Sequence, residues 1–237
     1  MKIGTAGWTL PLQWQTSFPA TGSHLERYAE RFACAEINSS FYKQHRRGTY
    51  ARWSASVPTH FRFSVKVPRA ITHDQSLGAT DVLLDVFLDE VTALGDRLGP
   101  LLVQLPPSLG FDAAIADEFF GLLRVMYAGS VVCEPRHPSW FGAAAELLLT
   151  SHRIARAAAD PAPVPTGMSP GGWPGLEYLR LHGSPRMYYS TYSPAFLDRI
   201  AATANASVEQ WCVLDNTASG AAVGDALALC ARLQPRR

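Results

Sequence analysis

The chain has 237 residues, a net charge of +1, 47% apolar and 11% aromatic residues, and only 17% charged residues against a usual share of about 25%. Such a composition excludes disorder, and surface scaling lets a chain this long fold to about 10,500 Å² from roughly 37,000 Å² extended, enough for one large core. Near-neutral charge supplies no field that would gather a polyanion, so nucleic acid is a disfavoured partner unless a local patch exists.

The first β-like run spans 2–7 and is broken by Gly4 and Gly7, so the start carries no signal-peptide core, and no later stretch approaches the ~18 apolar residues of a membrane span. Ser23-His24-Leu25-Glu26 is a capping box opening a helix that runs toward Tyr28 and Phe32. Further β-like runs follow at 34–38, 61–66, 101–105, 131–134, 154–159, 177–182 and 211–215, with helices starting near Asp81, Asp112, Ser139 and Ser193. Between 160 and 175, Pro161, Pro163, Pro165 and Pro170 with three glycines forbid a full helix, so the sixth connection reads as a loop. From Ala218 to Leu233 an alanine-rich amphipathic helix closes the pattern. Cys34, Cys133, Cys212 and Cys230 form no CxxC pair and read as thiols in a reducing cytoplasm.

Eight strand signals with helices between most of them, and no GxGxxG fingerprint, predict an α/β fold: a TIM-like (β/α)8 barrel, distorted at its sixth connection and forming one domain over 1–237. Chemistry in such a barrel sits at the carboxyl ends of the strands. Side chains alternate along a strand, so with Phe63 and Val65 facing the helices, Lys66 points inward with Ser64. By the same rule Glu36 and Asn38, Gln104, Glu134 and Arg136, and Arg180 and His182 converge on the interior, while Asn216 points with Leu214. Three cations, Lys66, Arg136 and Arg180, then face Glu36 and Glu134, with Asp160 as a further carboxylate. Unpaired buried charges are costly, so this cup either satisfies itself as a plug or takes an oxygen-rich, anionic small molecule such as a phosphorylated sugar.

Several motifs in chain order carry a resemblance: Glu36-Ile37-Asn38-Ser39-Ser40-Phe41-Tyr42, Phe63-Ser64-Val65-Lys66-Val67-Pro68-Arg69, Gln104-Leu105-Pro106-Pro107-Ser108, Glu134-Pro135-Arg136-His137-Pro138-Ser139-Trp140, Tyr178-Leu179-Arg180-Leu181-His182-Gly183 and Asn216-Thr217. Together they resemble the YecE-like family, domain of unknown function 72. The resemblance implies a somewhat distorted TIM-like barrel and a relation to sugar isomerases, with no firmly established activity. This chain departs from the pattern at Phe18, Asp215 and Asp225.

The resulting expectation is an enzyme acting on a small polyhydroxylated or phosphorylated substrate, with Glu36 and Glu134 as acid–base groups and Lys66 beside them. Tyr42 joins Asn38, Gln104, Arg136, Arg180, His182 and Asn216 in binding it. No cofactor is predicted. His73, His137 and His182 with Glu36, Glu134 and Asp160 are metal-ligand types without ligand spacing, so a divalent metal in a phosphodiesterase or endonuclease is the alternative, alongside a non-catalytic binding barrel. Trp8, Trp14, Trp140, Tyr188 and Tyr192 are candidate mouth aromatics. His45-Arg46-Arg47-Gly48 reads as a solvated loop and Arg236-Arg237 as a frayed end.

Overall fold

The computed structural model describes residues 1–233, so Arg236 and Arg237 lie outside the described residues. All eight expected strand runs form. They are β1 (Lys2–Thr5), β2 (Cys34–Ile37), β3 (Arg62–Lys66), β4 (Leu98–Gln104), β5 (Val131–Glu134), the pair β6 (Ile154–Arg156) and β7 (Ala158–Asp160), then β9 (Leu176–Leu181) and β10 (Glu209–Leu214). An additional two-residue strand, β8 (Gly171–Gly172), pairs antiparallel with β6 inside the sixth connection.

Two parallel arcs result, β1-β10-β9-β7 and β2-β3-β4-β5-β6, and two junctions join them. On one side β1 meets β2 through the Ala6–Glu36 bridge and a 2.8 Å bond from Gly7 N–H to the Glu36 carbonyl. That approach demands glycine at position 4, where a Cβ would stand 1.9 Å from the Cys34 carbonyl oxygen. On the other side the sixth run itself crosses from arc to arc. Its first half pairs with β5, its second half with β9, and the Ala157 N–H between them donates to the Cys133 carbonyl at 2.8 Å. The distortion expected at the sixth connection is thus a division of labour within one strand run.

Helices surround the strands: α1 (His24–Ala29), α2 (Arg47–Ala55), α3 (Asp81–Val91), α4 (Ala113–Met126), α5 (Ala143–Ser151), α6 (Pro194–Ala202) and α7 (Ala221–Leu233). The Ser23 capping box is complete, Asp112 caps α4 through the Ala114 and Ile115 amides, and Ser193 caps α6. No α-helix forms between β7 and β9, where Pro165–Met168 make a short 3-10 turn. Two local expectations change. The His45-to-Gly48 run is a solvated loop only in its first half: α2 starts inside it at Arg47, where Tyr50 and Trp53 of that helix pack edge-on against each other and the His45 ring. The helix near Ser139 instead starts at Ala143, preceded by a 3-10 turn that the His137 side chain caps.

Strand alternation sorts the core into two layers. Outward residues such as Ile37, Phe63, Val65, Val103 and Leu214 join the helices in one cluster, while Cys34, Leu102, Val132, Tyr178, Trp211 and Val213 fill the barrel interior in another. Gly99 makes room for this plug, since a Cβ there would lie 2.6 Å from the Trp211 ring. The folded surface of 11051 Å² is close to the value expected from chain length.

Candidate functional site

Above the apolar plug the inward positions turn polar, and they surround one guanidinium. Arg180, on β9, donates from Nε to Glu36 Oε2 (2.9 Å) and from Nη2 to Glu36 Oε1 (2.6 Å), a two-point grip on the β2 carboxylate. Its Nη1 donates to Glu134 Oε2 at the end of β5 (2.9 Å), and Nη2 also lies 3.1 Å from Asp215 Oδ2. Glu134 Oε1 receives Arg136 Nη2 at 2.5 Å, and His182 presents Nε2 to the same oxygen (2.9 Å) and Nδ1 to Asp215 Oδ2 (3.0 Å). Beneath Glu36, the Tyr178 hydroxyl sits 3.1 Å from Oε2 and 2.9 Å from the Ser64 hydroxyl. Nearly the whole network is sealed from solvent: Glu36, Glu134, His182 and Arg180 are at most 1% exposed.

Pairing at this depth decides ionisation. Burial alone would raise the Glu134 pKa, but the Arg136 and Arg180 charges outweigh it and hold the carboxyl well below its ordinary range. Burial likewise opposes the Arg180 charge, and Glu36, Glu134 and Asp215 together overcome it and raise its pKa. Asp215 is held low by Arg180 and His182 against its own burial.

Lys66 is the exception. Its side chain enters the same chamber from the end of β3 and is 5% exposed, yet no carboxylate lies within ion-pair distance of its ammonium among the described residues. What it meets is the face of Phe41, 3.8 Å from Nζ to the ring centre. Burial, and after it the Arg180 charge, push its pKa down to about 8, despite attraction from Glu36, Glu134 and Asp215.

The remaining candidates spread out from this chamber. Gln104 ends β4 half-buried, in register with Glu134. Asn38 is half-buried beside Glu36 in a recess of about 270 Å³ that also includes Gly7 and Trp8, and its Oδ1 is buried without a partner. Tyr42 stands outside at 76% exposed. It borders a separate, more apolar recess of about 460 Å³, lined also by Phe41, Ile71, Val86 and the exposed Arg69–Asp74 ion pair, which holds none of the buried network around Arg180. Asn216 faces away from the chamber, as alternation with Leu214 requires, and its Nδ2 donates to the Ser190 carbonyl (2.8 Å) and to Asp225 Oδ2 (2.7 Å). Asp215 occupies the inward position instead. The parity that turns Trp211 and Val213 inward puts Asp215, not Asn216, in the chamber, which corrects the expectation that Asn216 binds there.

Asp160 also stays outside the network. Its carbonyl accepts from His182 N–H (2.8 Å), and its Oδ2 is buried without a partner. His73 lies against Phe41 and Thr72, and His137 is used in its cap, so of the three candidate histidines only His182 reaches the cluster. No group of three His, Cys, Asp or Glu side chains with metal-binding geometry occurs among the described residues. Of the candidate aromatics, Tyr188 reaches the network, edge-on to His182 with ring centres 5.9 Å apart, whereas Trp140 and Tyr192 are core residues. No helix of the described residues is long and apolar enough to cross a membrane.

The chain resembles the UPF0759 protein YecE of Escherichia coli K12, 32% identical over 118 residues, a match covering 49% of this chain and 43% of that protein. Its fold matches crystal structures of DUF72 family proteins from Enterococcus faecalis V583 (TM-score 0.80, 17% identity, 100% of this chain and 98% of that one) and Thermotoga maritima MSB8 (TM-score 0.79, 23% identity, 98% of each). The family pattern described as "protein of unknown function DUF72" matches residues 2–237, so this α/β, TIM-like chain belongs to the DUF72 family.

Proposed function

We propose that the protein is an enzyme acting at the carboxyl end of its barrel on a small, oxygen-rich and anionic substrate of the sugar or sugar-phosphate type. The observation that carries this reading is the contrast within one chamber: every buried charge except Lys66 is held by a partner of opposite sign. A carboxyl held as low as Glu134 is a weak proton acceptor at neutral pH, and Glu36 is pinned by Arg180 and Tyr178. Carboxylate acid–base chemistry therefore recedes, and these residues serve as the frame. Lys66, with a pKa of about 8, both gives and takes a proton close to neutrality, which suits proton abstraction next to a carbonyl. Arg136, Gln104 and Asn38, half-buried polar residues near the strand ends, bind substrate oxygens in this reading.

Turnover of a panel of aldose and ketose phosphates by wild-type protein and Lys66→Met tests this. At least a hundredfold loss in the variant is expected, together with a rise in Tm of the wild type in millimolar phosphate that Arg136→Ala reduces. A competing reading, a self-satisfied plug without catalysis, is favoured by the completeness of the Arg180 pairing. It predicts no turnover and no phosphate effect on Tm.

A further inference from the structure

We infer that Lys66 forms a Schiff base with the carbonyl carbon of an aldehyde or ketone substrate, so that the enzyme works through a covalent imine. This deepens the reading above and rests on it. Three features of the structure support it independently of any relative.

The first is selection. The chain has three lysines among its 237 residues, while all its other basic side chains of that kind are arginines. Lys2 is tied to Glu209 at 2.9 Å and Lys43 is exposed on the surface, so Lys66 is the one amine delivered to the barrel interior. Arginine would carry a permanent charge there and hold a carboxylate better; only lysine can lose its proton and become a nucleophile.

The second is the surroundings. The Nζ atom lies against the Phe41 ring rather than a carboxylate, and the charges that act on it come from several elements: Arg180 on β9, Glu36 on β2, Glu134 on β5 and Asp215 after β10, with His73 on the following turn. Burial, and after it the repulsion of the fully buried Arg180, favours the neutral amine. Because Glu36, Glu134 and Asp215 are already committed to Arg180, none is free to recapture the ammonium.

The third is the backbone. The Ser40 hydroxyl lies 2.6 Å from the Lys66 carbonyl and 2.9 Å from the Ile37 carbonyl, sharing its one proton between them and tying the end of β3 to the turn that carries Phe41. Past Lys66 the chain makes a π-helical turn (Ala70–Asp74) and then three left-handed non-glycine residues, Ser76, Leu77 and Ala79 at φ 48°, 73° and 48°. Irregular backbone of this kind persists mostly where a site demands it.

The chemistry balances without any co-reactant. The Nζ lone pair of the neutral amine attacks the carbonyl carbon, and the oxygen takes up the proton the nitrogen gives up. Loss of that hydroxyl as water then leaves a carbon–nitrogen double bond: one amine and one carbonyl give one imine and one water. The protonated imine withdraws electrons from the adjacent carbon and makes its proton removable, which is the same demand an isomerisation of a hydroxy-carbonyl compound makes.

Incubation of the full chain with D-glyceraldehyde 3-phosphate, and in parallel with uncharged D-glyceraldehyde, in the presence of sodium cyanoborohydride converts any imine to a stable secondary amine that peptide mass mapping locates. A single adduct at Lys66 is expected, formed at least tenfold faster than at Lys2, Lys43 or the N-terminus. Its rate should rise as pH passes through about 8, and the phosphate-bearing probe should be the faster of the two. Lys66→Arg should abolish that adduct and retain the phosphate effect on Tm. Adducts spread evenly over the three lysines and the N-terminus overturn the imine. If phosphate still raises Tm in that case, the substrate class stands and Lys66 acts on protons alone; if phosphate also does nothing, the proposed function falls with it.

Discussion

Arg180 and Lys66 enter the same chamber from different arcs of the barrel, β9 and β3, carry the same sign of charge and are almost equally deep. One is gripped by Glu36, Glu134 and Asp215 and has its pKa raised; the other rests on an aromatic ring and has its pKa lowered to about 8. Burial works against both charges; close carboxylates overcome it at Arg180, whereas Lys66 has none within ion-pair distance and feels the repulsion of Arg180 as well. Within one set of six charged side chains, three cations and three carboxylates, two cations are held in ion pairs with the carboxylates and one amine is left over.

Breaking the frame should give the largest effect. Arg180→Met leaves three carboxylates facing one another in a sealed chamber, and loss of one partner of a buried ion pair typically costs about 3–5 kcal/mol. Urea unfolding should show a loss of that size, and a loss below about 1 kcal/mol would mean that water enters freely and the frame is not dry.

Removing the amine should do the opposite. Because the Lys66 pKa is lower in the folded than in the unfolded protein, the unfolded chain binds more protons between about pH 8 and the ordinary lysine value of 10.5, and stability contributed by this group rises with pH across that window. Below pH 8 the folded protein bears the full penalty, roughly 3 kcal/mol at about 1.4 kcal/mol per pH unit, offset in part by the Phe41 contact. Lys66→Met should therefore be more stable than wild type at pH 7, by roughly 1–2 kcal/mol, while losing activity, and the stability difference should shrink above pH 10. Comparing the two proteins cancels the tyrosines and cysteines that titrate in the same range. A less stable variant at pH 7 would show that the amine is paired after all.

The smallest effects separate depth from mere charge. Tyr178→Phe removes the hydroxyl between Glu36 and Ser64 and should cost about 1 kcal/mol by unfolding. Arg47→Ala, which loses an exposed pair with Asp89 at 3.2 Å, should stay within about 0.5 kcal/mol. Equal losses from the two would erase the distinction between chamber and surface.

Much of this was legible in the sequence because period-2 alternation is local. Once Phe63 and Val65 face the helices, Ser64 and Lys66 must face inward, and the same step places Glu36, Glu134, Arg180 and His182. The Ser23 and Asp112 caps are equally local, since donor and acceptor lie within three residues. Which inward charge pairs with which is not local. Arg180 reaches Glu36 across 144 positions and Glu134 across 46, and the stagger of strands around the barrel decides that it, rather than Lys66, meets both. The split of the sixth run between β5 and β9 and the start of α2 in a basic segment have the same origin, contacts supplied by distant elements. Asn216 shows the boundary within a single pair of neighbours: alternation alone turns it outward and Asp215 inward, but that Ser190 and Asp225 receive its amide, and that Arg180 pairs with the Asp215 carboxylate, is decided by distant elements. Sequence determined which side chains face the interior, because a strand's pleat needs only its own residues. The tertiary structure decided which of them are neutralised and which one is left free, because an ion pair needs two strands brought to the same height.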